Sequence, residues 1–209
     1  MTLPLLAAVN HLDAIEIDRD LAAALQEELA PRLTLHQCDV LDFDFHALGN
    51  DLRIVGNLPY NISTPLLFHL AAFADDLRDI HVMLQKEVVE RMVAAPGGGD
   101  YGRLSVMLQY RFDMEKVIDV GPDAFYPQPK VDSAVVRMLP RKVIEPKARD
   151  ETLFAHVVTA AFSQRRKTLR NTLRNLLELP DFDALAINPG ARAETLSVAD
   201  FVRIANRMA

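Results

Sequence analysis

The sequence has little that would tie it covalently or hold a metal. Its one cysteine, Cys38, excludes an internal disulfide, gives no zinc site, and points to a reducing cytoplasm. The histidines, at positions 11, 36, 46, 69, 81 and 156, are scattered without ligand spacing, so no metal is expected. No apolar run approaches the roughly eighteen residues of a membrane span. The opening Thr2–Val9 is apolar, but Arg19 is the first cation, so the start does not read as a signal peptide. Internal repeats and low-complexity tracts are absent. What remains is the balance of a globular chain: 209 residues, 50% hydrophobic and 25% charged, enough to bury a sizeable core.

A net charge of -6 excludes an indiscriminate nucleic-acid binder, but the average hides an asymmetry. Residues 1–120 hold 9 Lys/Arg against 19 Asp/Glu, a net of -10, and residues 121–209 hold 14 against 10, a net of +4. A basic half joined to an acidic half is a hint of a polyanion-facing surface, and equally the pattern of a solvated face.

Apolar strands are expected at His11–Ile17, Leu33–Gln37, Leu52–Val55 and Ile80–Leu84, each bounded by turn residues. Helices are expected at Asp18–Leu29, Pro65–Ala74, Lys86–Ala94 and through Leu104, Met107 and Leu108 after the Gly97–Gly99 loop. Phe112–Val120 and Val131–Met138 read as a closing strand pair around a proline-rich loop. Strands alternating with helices predict an α/β domain with a mainly parallel sheet. Beyond Pro140 the character changes. Leu153, Phe154, Val157, Val158, Ala161 and Phe162 form one helical stripe, and Leu169, Leu173, Leu176 and Leu177 another. The expected division is therefore an α/β domain over 1–140, a charged linker 141–150 and a small all-α domain over 151–209.

Glu16 and Asp39 stand near the ends of the first two strands, where parallel-sheet proteins bind nucleotides. A carboxylate there can accept ribose hydroxyls or an adenine amine through charged hydrogen bonds of ~1.5–3 kcal/mol each. Either acid is equally readable as a strand-end cap. Asn57-Leu-Pro-Tyr60 is the sharpest signal. As a bare motif it is a turn; at a strand end, the Asn57 amide oxygen and Leu58 carbonyl can accept two protons of an exocyclic amine, with Tyr60 as a flat wall. Such acceptors push a ring-conjugated amine toward a nucleophilic geometry without a general base. In Ala124–Asp132, prolines flank Gln128, and Phe125 or Tyr126 can stack on a base (roughly 1–3 kcal/mol) or plug the loop. Gln164–Arg174 carries five basic residues and no acid. On a continuous helix, Arg166, Arg170 and Arg174 share one face at i, i+4, i+8, a phosphate-tracking or a solubilising surface.

Together these segments resemble the ribosomal-RNA adenine dimethyltransferases that modify two adjacent adenosines near the 3′ end of small-subunit rRNA. The resemblance spans nearly the whole chain: Ala14–Asp18, Gln37–Asp39, Gly56–Tyr60, Met83–Arg91, Asp100–Ser105, Phe125–Ser133, Gln164–Asn171 and the Arg192–Asn206 tail, in family order. It implies a Rossmann-like methyltransferase domain, followed by a helical domain, and S-adenosylmethionine as methyl donor. Glu16 would hold the donor's ribose with Ile17 alongside, and Asp39 its adenine amine, with Val40 beside the ring. Asn57, at the donor site as well, and Leu58 would grip the flipped-out target amine between Tyr60 and Phe125. Lys130, Arg165, Arg166, Lys167, Arg170 and Arg174 would face rRNA in the immature small ribosomal subunit. The protein would be a cytoplasmic monomer without membrane contact. Family members begin with an N-terminal arm, a first strand and a glycine-rich donor loop that none of the eight glycines supplies. The resemblance therefore implies a domain incomplete at its N-terminus, with two sheet neighbours left unpaired; if the chain does not bind the donor, the activity would belong to a longer product. Two other readings are a non-catalytic ribosome-assembly factor that has lost its donor site, and a large-subunit rRNA adenine methyltransferase of the antibiotic-resistance branch.

Overall fold

Short-range caps fix several helix starts in the computed structural model, which describes residues 1–209. The Asp18 carboxylate accepts from the Asp20 and Leu21 amides, both at 2.9 Å, and starts the helix Arg19–Leu29. Asp150 does the same for Thr152 and Leu153 at the head of Glu151–Ala161. Ser197 and Asp200 form a reciprocal capping box at Val198–Met208. Each satisfies amides that a helix N-terminus leaves without intrahelical partners.

The chain divides into two units, residues 1–48 and 49–209. The first contains α1 (Thr2–Ala8), β1 (Leu12–Ile15), α2 (Arg19–Leu29) and β2 (Leu33–His36). β1 and β2 pair in parallel, with Ile15 opposite His36. A crossover helix between parallel strands is the βα repeat the alternating sequence predicts.

The second unit runs β3 (Leu52–Asn57), α3 (Ser63–Ala72), β4 (Leu77–Gln85), α4 (Lys86–Val93), α5 (Arg103–Arg111), β5 (Phe112–Val120) and β6 (Ser133–Pro140). It continues through α6 (Glu151–Ala161), α7 (Leu169–Thr172), α8 (Leu179–Leu185) and α9 (Val198–Met208). Its sheet has the order β3-β4-β6-β5. β3 and β4 are parallel, whereas β6 joins β4 and β5 antiparallel, so the closing pair makes this sheet mixed. In these two sheets β1, β2, β3 and β5 each pair along one edge only.

Period-two alternation decides which face of the second sheet is buried. Ile80, Val82, Leu84, Ala134, Val136 and Met138 are all 0% exposed. The opposite face carries Arg53, Asp79, His81, Arg137 and Glu115. The C-terminal helices share one core with α5: Val106 and Tyr110 pack with Phe154, Val157, Leu169, Leu173, Phe182 and Phe201. Segment 141–150 is tied down between them. The buried Ala148 donates its amide to the Tyr110 hydroxyl (3.2 Å), and the Arg149 amide donates to Asn206 Oδ1 (2.7 Å). No helix is long and apolar enough to cross a membrane.

Neither the second apolar stripe nor the basic segment Gln164–Arg174 forms the continuous helix expected of it. Residues 162–167 are turns and bends, and α7 spans only Leu169–Thr172. The Leu169 and Arg170 amides donate to the Ala191 (2.8 Å) and Pro189 (3.0 Å) carbonyls of a distant loop. Those bonds hold the chain in register with that loop and leave one helical turn. Arg166, Arg170 and Arg174 therefore lie on a turn, a short helix and a second turn, and do not share one helical face.

Candidate functional site

β3 continues two residues beyond the expected Val55, because Gly56 and Asn57 stay in register with Val82 and Met83 of β4. The Leu58 amide extends the pairing by donating to the Met83 carbonyl at 3.1 Å. Gly56 makes room for the turn: a Cβ there would stand 2.9 Å from Leu58 Cδ2. With glycine, the Leu58 side chain folds back into the core and is 8% exposed. Its neighbour Asn57 is exposed at the carboxyl end of the strand. The turn is thus anchored by Leu58 and presents Asn57.

Tyr60 is held at two points. Its hydroxyl is 2.9 Å from Ser133 Oγ, and its carbonyl accepts from Ser63 Oγ at 3.1 Å. Ser133 is 0% and Ser63 4% exposed, while Tyr60 retains 37%. Ser133 opens β6 and ends the 121–132 loop that carries Phe125 and Lys130. Phe125 is half-buried after a tight turn, its amide donating to the Pro122 carbonyl at 3.2 Å. Tyr126 is fully exposed.

The same edge is clipped by ion pairs. The Lys86 amide donates to the Asp132 carbonyl (2.9 Å), and its ammonium lies 3.3 Å from Asp119 Oδ2. Lys116 reaches Asp119 Oδ1 at 3.0 Å. The hydrogen bond from Lys116, joined by that from Lys86, holds the Asp119 carboxyl below its ordinary range, and the Asp119 bond in turn raises the Lys86 ammonium. The effect is to fix the start of α4 against the end of β5.

In the first unit, β1 and β2 are parallel, so their carboxyl ends lie at one edge. The Glu16 amide donates to the His36 carbonyl (3.1 Å), and Glu16 Oε1 accepts from the Asp18 amide (2.9 Å). Asp39 Oδ1 accepts from the Leu41 amide at 2.9 Å. Each carboxylate thus spends one oxygen on a local turn and keeps the other available. Ile17 is 65% exposed and Val40 half-buried.

The basic residues separate by role. Arg165 Nη2 donates to the Gly99 carbonyl at 2.6 Å, tying the loop after α6 to the glycine-rich loop before α5. Arg166, Lys167, Arg170 and Arg174 are exposed. Sequence reasoning missed Gly56, Ser63 and Ser133. Ser133 stood inside a segment already singled out, but its partner is 73 residues away, and nothing in either local pattern links them.

A family model described as "Ribosomal RNA adenine dimethylase" matches residues 1–209. Ribosomal RNA small subunit methyltransferase A of Thiobacillus denitrificans is 63% identical over 205 residues, covering 98% of this chain and 80% of the relative. The protein of that name from Aromatoleum aromaticum is 61% identical over 210 residues, covering 100% of this chain and 79% of the relative. A dimethyladenosine transferase from Plasmodium falciparum superposes with a TM-score of 0.82 at 24% identity, over 97% of this chain and 83% of that one. The 23S rRNA methyltransferase ErmE gives 0.72, also at 24%, over 99% and 85%. At that identity the two structures establish the shared Rossmann-like fold alone.

Proposed function

The chain belongs to the ribosomal RNA adenine dimethylase family, and on that premise we propose that it dimethylates the exocyclic N6 of two adjacent adenosines near the 3′ end of small-subunit rRNA. It is an S-adenosylmethionine-dependent methyltransferase, and we place it in the cytoplasm, acting as a monomer on the immature small ribosomal subunit.

The observation that carries this reading is the Asn57–Tyr60 turn, anchored by the buried Leu58 and presenting Asn57 at the carboxyl end of β3. The Asn57 amide oxygen and the Leu58 carbonyl accept the two protons of the target amine. An adenine amine is a weak nucleophile because its lone pair is shared with the ring. Two acceptors on its hydrogens push the nitrogen toward sp³, take its lone pair out of conjugation and aim it at the methyl donor. Tyr60 and Phe125 stack on the faces of the extracted base, a contact of roughly 1–3 kcal/mol per ring.

The donor fits the first unit on the chemistry of its free acceptors. Glu16 Oε2 would take the ribose hydroxyls and Asp39 Oδ2 the adenine amine, since their companion oxygens are already committed. Ile17 and Val40 would supply apolar contact to the donor. When bound, S-adenosylmethionine supplies a methyl group activated by a sulfonium. Lys130, Arg166, Lys167, Arg170 and Arg174 contact rRNA phosphates, and Arg165 holds the loop that supports them. The α/β segment 1–140 carries the chemistry and 151–209 the docking, with 141–150 joining them.

The test is incubation of the protein with S-adenosylmethionine and unmethylated small or large ribosomal subunits, followed by nucleoside mass spectrometry. N6,N6-dimethyladenosine in the small-subunit arm supports the reading. Product confined to the large subunit, or absent from both, overturns it.

A further inference from the structure

Tyr60 is one of the exposed residues of the turn, yet its hydroxyl points inward to Ser133, which has no exposed surface. That leaves the ring itself, not the hydroxyl, as what Tyr60 offers to solvent. Ser133 is a stiff anchor: at the start of the inner strand β6 it pairs on both sides, with Gln85 of β4 and Val120 of β5. It is also the first residue after the loop bearing Phe125. The bond therefore joins two segments that are 73 residues apart, the turn with one candidate stacking ring and the loop with the other.

We propose that Ser133 is a positioning residue, whose hydroxyl fixes the Tyr60 ring relative to the Phe125 loop so that a base can enter between them. The proposal rests on the stacking role assigned to Tyr60 above. A tyrosine side chain has two rotatable bonds, and at 37% exposure packing restrains them only in part. Ser63 holds the Tyr60 main chain through its carbonyl and leaves the ring free to swing. The Ser133 bond removes that freedom before the base arrives, so ordering the ring does not subtract from binding.

The experiment uses the full chain with an RNA stem-loop of the small-subunit 3′ end carrying 2-aminopurine at one acceptor position. Fluorescence quenching reports stacking, and methyl transfer into the unlabelled RNA gives kcat and KM. Ser133→Ala and Tyr60→Phe break the same bond from its buried and its exposed side. Each is expected to weaken quenching and turnover by about five-fold, the effect of one ordinary hydrogen bond, and the double variant by no more than either alone. Ser133→Thr should restore both, which a purely packing role for the serine would not predict. Independent, multiplying losses in the double variant overturn the proposal. So does wild-type quenching in Ser133→Ala and Tyr60→Phe while Tyr60→Ala abolishes it; that result leaves the stacking reading standing. Wild-type quenching in Tyr60→Ala removes the stacking reading and the proposal with it.

Discussion

Arg53 holds Asp79 with both arms of its guanidinium: Nε lies 2.9 Å from Oδ1 and Nη2 2.8 Å from Oδ2. The two residues are register partners on adjacent parallel strands. Asp79 is 4% exposed, and burial alone would push its carboxyl up. The Arg53 hydrogen bonds and charge, helped by His81 and Arg137, outweigh burial and hold it below its ordinary value. Arg53→Ala leaves this carboxylate buried with weaker partners. Because Arg53 is itself well exposed, the expected loss is about 1–2 kcal/mol. Urea unfolding measures it, and an unchanged midpoint would contradict the assignment.

The same pair predicts a pH dependence. The folded carboxyl titrates below the unfolded one, so its stabilisation is complete above about pH 4. It is lost as the pH falls through the folded value. The stability gap between wild type and Arg53→Ala should therefore be constant near neutrality and close in acid. A gap that persists once the pH has fallen below the folded carboxyl's own titration would assign the loss to packing of the arginine stem.

Gly56→Ala places a methyl group against the buried Leu58 side chain. The flexible end of Leu58 can give way, so the expected stability cost is modest, about 1–2 kcal/mol. Turnover should fall further than stability, because a displaced Leu58 carries its carbonyl away from the amine. Thermal melting beside methyl-transfer rates separates the two, and normal turnover would mean the Leu58 carbonyl is not an acceptor.

Reversal of Arg166 and Arg170 to Glu should weaken binding to the ribosomal subunit and flatten its salt dependence, since each phosphate contact contributes to the slope. Both side chains are exposed, and the fold should be unaffected. Filter binding across a salt series checks this; an unchanged slope would place the rRNA elsewhere. Arg165→Ala is expected to behave differently, through loss of its bond to Gly99.

Local chemistry made much of the fold legible in the sequence. Asp18 before an apolar helical repeat marked the start of α2, and the apolar run Ile80–Leu84 marked the buried centre of β4. The Asn57–Tyr60 motif stands at a strand end in the structure, as its sequence context suggests. The failures came from contacts across long stretches of chain. The Arg166–Arg174 stripe has helical spacing, but carbonyls of Pro189 and Ala191 capture its amides. The strand limit at Val55 overlooked pairing of Gly56 and Asn57 with β4. The Tyr60–Ser133 bond joins two segments that each looked self-contained.

Asn57→Ala probes most directly whether the Asn57 amide accepts the target amine. Dimethyladenosine formed on small-subunit rRNA is measured alongside S-adenosylmethionine affinity by calorimetry. The variant is expected to lose methyl transfer while donor affinity stays within a few-fold of wild type. Wild-type turnover by Asn57→Ala would remove the amide from the mechanism.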